Sequence, residues 1–86
     1  MKTNDFIDET QVMGLNRKRF VEEILNLDFN GSIRSCAISI GMNPSYLHDL
    51  IFIPTKDAGI KTLTKIYHYC KRTGKDPERF IFKQRR

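Results

Sequence analysis

Tryptophan is absent, cysteine occurs twice, proline three times, and no apolar run approaches the length of a membrane span. Each shortage closes a class of protein. Two cysteines are too few for the disulfide framework of small secreted domains, and Met1 to Gly14 lacks the basic start and apolar centre of a signal peptide. A cytoplasmic protein with no membrane segment is therefore expected. There Cys36 and Cys70, each on the expected core face of a helix, would behave as small buried hydrophobes. Catalytic signatures are missing too. The chain holds no glycine-rich phosphate loop, nucleophile elbow, paired-carboxylate motif, CxxC or HxxxH. His68 and Cys70 are two apart on an expected helix and diverge, so no metal set forms around either histidine. No enzyme activity, metal, cofactor or small-molecule ligand is expected.

Acidic residues are also scarce, ten Asp and Glu against fifteen Lys and Arg, and they are unevenly placed. Lys2 against Asp5, Asp8 and Glu9 leaves residues 1–14 at −2, so residues 15–86 carry +7 of the net +5. That is a basic domain behind an acidic arm. Such a charge favours nucleic acid or another polyanion, and it equally suits a solvated surface. With 86 residues and 40% apolar content there is one core to build. The arm, 1–14, has no sustained period and is expected to be partly disordered or to pack on a neighbour; 15–86 is expected to be the folded domain.

What the chain does contain is helical periodicity with clear punctuation. Phe20, Val21, Ile24 and Leu25 share a face of a first helix near Asn16 to Leu27, followed by a turn at Asp28 to Gly31. Arg17, Lys18 and Arg19 then crowd its positive end, unfavourable by a few tenths of a kcal/mol each unless an anion lies nearby. An earlier start at Thr10 would instead put them mid-surface. Ile33, Cys36, Ala37 and Ile40 define a second helix, with Ser32 or Asn30 as cap and Gly41 as stop. Asn43-Pro44 restarts a third, in which Tyr46, Leu47, Leu50 and Ile51 form the inward stripe. Ile60, Leu63, Ile66, Tyr67 and Cys70 define a fourth, closed by Thr73-Gly74, and Asp76-Pro77-Glu78 reads as the start of a fifth. The expected fold is all-α: a compact bundle of about five short helices in which the second and third form a helix-turn-helix.

The chain here resembles the phage-repressor-type helix-turn-helix proteins, the lambda-type repressors, Cro proteins and related xenobiotic-response-element-like regulators. The resemblance rests on Ala37, Gly41, Leu47 and Leu50, each at the family's spacing, and covers roughly Leu15 to Phe82. Two positions depart from it: Ile51 stands where a glutamate is common, and Ile33 where a polar residue such as glutamine usually begins the second helix. The resemblance implies a lambda repressor-like, sequence-specific transcriptional regulator that binds double-stranded DNA. In a helix-turn-helix the first turns of the second helix enter the major groove, which makes Asn43, Pro44, Ser45, Tyr46 and His48 the base-reading candidates. Ser45 can bond several bases; Asn43, if not spent as a cap, can pair with adenine; Pro44 and Tyr46 can touch a thymine methyl. Asp49 suits a solvated acid better. Phosphate candidates are Ser32 and Arg34 at the second helix's N-terminus, Lys56 on the loop in the family's manner, and Arg17, Lys18 and Arg19.

Domains this small gain affinity by binding two half-sites as a homodimer, about one helical turn apart. Phe80, Ile81 and Phe82 supply apolar residues either to close the core or to meet a second subunit, and they are the expected dimer surface, with the arm as alternative. The rival expectation is a helical protein-interaction module such as the antitoxin of a toxin–antitoxin pair, towards which Ile33, Ile51 and Asp49 lean.

Overall fold

The computed structural model describes residues 12–53 and 55–84. Met1 to Gln11, most of the acidic arm, and the terminal Arg85 and Arg86 lie outside the described residues. Among the described residues the element order is strand, four helices, a short 3-10 turn and a second strand. The Cα radius of gyration is 12.2 Å, against about 12 Å for a folded chain of this length.

The first helix, α1, runs without a break through three stretches, Arg17–Arg19, Phe20–Leu25 and Asn26–Phe29, the middle one wound as a π-helix. Asn16 caps it, its side-chain oxygen accepting from the Arg19 amide at 3.1 Å. The basic triplet therefore does occupy the first turn. The wider π turn carries Phe20, Ile24 and Leu25 all to the inside. The chain reverses through Asn30 and Gly31, both at positive φ.

Helix α2, Ile33–Ile40, starts on Ser32, whose Oγ accepts from the Ser35 amide, and stops at Gly41, φ +100°. After a three-residue turn, α3 occupies Pro44–Phe52. Ala37 is fully buried between them, a small side chain that admits α3 closely, and Leu47 and Leu50 pack on the same core. Helix α4, Ile60–Thr73, lays Leu63, Ile66, Tyr69 and Cys70 across the bundle. Both thiols are buried and unpaired with one another.

A fifth helix does not form. Asp76 caps as expected, accepting from the Glu78 amide at 3.0 Å, but Pro77–Arg79 makes one 3-10 turn and the chain then extends as β2, Ile81–Gln84. Its partner is β1, Val12–Leu15, antiparallel in the register Val12↔Gln84, Met13↔Lys83, Gly14↔Phe82 and Leu15↔Ile81. The fold is thus mostly helical, with a small two-stranded sheet where the fifth helix was expected. The physical reason is a pairing across the whole chain: β1 satisfies the backbone of β2, and alternation sends Ile81 into the core and Phe82 out. An Asn16 amide bond to the Phe80 carbonyl, 2.7 Å, continues the pairing to the start of α1. Phe82 lies across Gly14, where a Cβ would collide with the ring. β1 also begins ahead of the expected edge of the domain at Leu15, so Met13 packs on the core with Leu15.

Candidate nucleic-acid interface

Two helices and their turn supply most of the side chains singled out from the sequence. At the turn, the Gly41 and Met42 amides both bond the Ala37 carbonyl at 2.8 Å, and Asn43 restarts the helix by accepting from the Ser45 amide at 2.8 Å. Helix α4 fastens this turn from behind. Lys65 Nζ donates to the Gly41 carbonyl at 2.7 Å, and the Arg72 guanidinium donates to the Ser39 carbonyl at 3.1 Å. Both bonds satisfy carbonyls that the C-terminus of a helix leaves open. Neither lysine nor arginine carried a local signal for this role, since the partners are far apart in sequence.

The five base-reading candidates divide between two faces. Pro44, Ser45 and His48 open onto a concavity of about 420 Å³ whose other walls are Ile33 and Arg34 from α2 and Asp49. Asn43 and Tyr46 border a separate concavity of about 590 Å³, with Met42 and the first turn of α4, Gly59 to Thr62 and Lys65. Tyr46 is held there: its hydroxyl accepts from Thr62 Oγ1 at 3.1 Å and Lys56 Nζ stands 4.7 Å over its ring. The Asn43 oxygen is spent on its cap, so the adenine pairing that depended on a free side chain is closed to it. In the first concavity Ser45 and His48 are exposed, and Arg34 is exposed with no protein partner among the described residues. His48 Nδ1 lies 3.4 Å from Asp49 Oδ1 and its ring 4.8 Å from that of Phe52. The one acid of this face is therefore beside a histidine. Ile33 is the wall that the sequence did not mark as functional.

The phosphate candidates are similarly sorted. Ser32 is the α2 cap, and its hydroxyl also donates to Ser35 Oγ at 3.1 Å. Arg17 is turned into the protein: its guanidinium donates to the Lys56 carbonyl and lies 3.9 Å from Asp57, tying α1 to the loop before α4. Lys18 and Arg19 stay exposed. The Lys56 ammonium keeps its three N–H donors without a protein acceptor among the described residues.

Of the expected dimer surface, Phe80 is 1% and Ile81 2% exposed, so both are used in the chain's own core; Phe82, at 47%, remains outside. Two polar clusters tie α1 to α4 and to the 3-10 turn. Asp28 accepts from the Tyr69 hydroxyl at 2.7 Å and pairs with Lys75 at 3.1 Å; burial, then this bond, push the Tyr69 hydroxyl's pKa up. Arg79 grips Glu23 through two bonds of 3.0 and 2.7 Å, which lower the glutamate's pKa. Among the described residues no group of three or more His, Cys, Asp or Glu could hold a metal ion, and no helix is long and apolar enough to cross a membrane.

Compared with protein-family models, with curated proteins and with solved structures, the chain matches none.

Proposed function

We propose that this chain is a sequence-specific DNA-binding regulator of the repressor or Cro type, in which α2 and α3 act as a helix-turn-helix and α3 reads the major groove. The reading is carried by one observation: Ser45, His48 and the unpartnered Arg34 share an open concavity, while Leu47 and Leu50 of the same helix are fully buried. A helix so divided has one side anchored and one side free to meet base edges. Arg34 and the α2 N-terminus flank that side, where backbone phosphates would lie. Lys56 adds an ammonium from the following loop. The net charge of +5 supports attraction to a polyanion. Binding to an inverted repeat as a homodimer belongs to the same proposal, with Phe82 as the part of its expected surface that stays exposed.

The test is selection from sheared genomic DNA at about 150 mM salt, where non-specific attraction is weakened. One inverted-repeat motif among the retained fragments is the expected result. Salt-sensitive retention with no shared motif would remove the sequence-specific reading.

The second reading, a protein-interaction module, is favoured by Phe52 and Ile53, adjacent at the end of α3 and 60% and 41% exposed. Recovery of a stoichiometric protein partner together with failure to select DNA would decide for it.

A further inference from the structure

The concavity between α2 and α3 is not uniformly polar. Two of its six lining residues, Ile33 and Pro44, are apolar and half-buried, and they come from different helices. Ile33 packs on the core while its remaining surface lines the same concavity as Pro44. Around them stand Arg34, Ser45 and His48, all exposed, with Asp49 beside the histidine. Two apolar side chains among hydrogen-bonding and cationic groups fit a ligand that is itself an apolar bump on a polar, anionic surface. In the major groove one base edge has that character: the C5-methyl of thymine, flanked by the O4 acceptor and the phosphates.

We propose that Ile33 and Pro44 form a slot for a thymine methyl group, and that Ile33 is a specificity-determining residue of this protein. The inference rests on the DNA-binding reading and sharpens it. Tyr46, the other side chain able to touch a methyl from α3, lines the second concavity and is held there by Thr62 and Lys56. The methyl contact passes instead to the first residue of α2. Ser45 or Arg34 is then placed to bond the oxygen or phosphate next to that methyl, and the slot tells thymine from cytosine by shape rather than by hydrogen bonding alone.

Deoxyuridine offers a direct test, because it pairs as thymidine does and lacks only the methyl group. In the sequence recovered by selection, each thymidine is replaced in turn by deoxyuridine and affinity is measured with the intact chain. One position in each half-site should lose about fourfold, the fold-change expected for one methyl group kept from water. Ile33→Ala, checked for folding by its thermal melt, should bind the thymidine and deoxyuridine sites equally. Pro44→Ala, a change the first position of a helix accepts, should narrow the difference as well. Wild-type indifference to every replacement, a selected half-site without thymine, or a discrimination that survives in folded Ile33→Ala would each overturn the slot while leaving DNA binding intact. Failure to select any sequence would overturn both.

Discussion

Lys56 and Arg17 lie on the same loop contact and have opposite tasks. The Lys56 ammonium rests on the Tyr46 ring and keeps its donors, whereas the Arg17 guanidinium is consumed by the Lys56 carbonyl and Asp57. Salt dependence separates the two, since each phosphate contact adds close to one unit to the slope of log affinity against log salt. Lys56→Ala is expected to lower that slope by about 1 for each half-site, hence about 2 for the homodimer. Adding Arg17→Ala to it should leave the slope where it was; a further loss of about one unit per half-site, in titrations from about 50 to 200 mM salt, would place Arg17 on phosphate after all. Nothing in the sequence separated these neighbours by role. The residue types at Arg17 to Arg19 and at Lys56 state a charge, and only the packing of α1 against the loop decides which charge faces water. Tyr46 is the same case. Its spacing put it on the inward stripe and its chemistry among the readers, and the Thr62 hydroxyl, donating to its own, holds it at the second concavity.

At the scale of elements, α2, α3 and α4 were legible because their ends are written locally. Ser32, Asn43-Pro44, Gly41 and Gly74 cap or stop them within a residue or two of where the periodicity begins and ends. Gly41 tests this reading. A Cβ there would meet nothing within 4 Å, so the cost of Gly41→Ala comes from the left-handed backbone alone, about 1–2 kcal/mol by chemical denaturation. A loss below the error of that measurement would mean the turn is not held at φ +100° in solution. The sheet was not legible. Each strand has four residues, and each finds its partner at the other end of the chain, so no window of sequence contains the pattern. Asp76-Pro77-Glu78 starts a helix truthfully and says nothing about how soon it must end. The Arg79–Glu23 pair fixes that end to α1, and it carries a pH signature. Because Arg79 depresses the pKa of the folded Glu23 carboxyl, the pair's contribution is present above the ordinary value of 4.5 and is lost as pH falls through the lower, folded value. Thermal melts should therefore show wild type ahead of Glu23→Gln by a constant margin at neutral pH, shrinking below 4.5. A margin unchanged down to the acid limit of folding would assign the difference to packing.

Over the whole molecule, one core gathers side chains from all four helices and from β2, and both cysteines sit inside it. Burial holds the Cys36 thiol up to about 12 and the Cys70 thiol up to about 11, so neither forms the reactive thiolate while the chain is folded. Alkylation at pH 8, followed by mass across a denaturant series, should modify both together and in step with global unfolding. Labelling of either one at the rate of a free peptide without denaturant would show a local opening of α2 or α4. The composition had already placed these thiols in the core, because each falls on the apolar stripe of its helix. The closure of that core by Phe80 and Ile81 was less visible, as an apolar segment near the end of a chain reads equally as an interface.

The strand pair has a mechanical meaning as well. Among the described residues β1 precedes every helix and β2 follows them all, and the pair farthest from α1 is Val12 with Gln84. Tension applied through the two ends of the chain would load that pair first, then Met13 with Lys83, and so on inward, opening the ladder one rung at a time rather than shearing all rungs at once. The clasp that joins beginning to end is therefore a zipper, firm against thermal agitation of the bundle and weak against a pull.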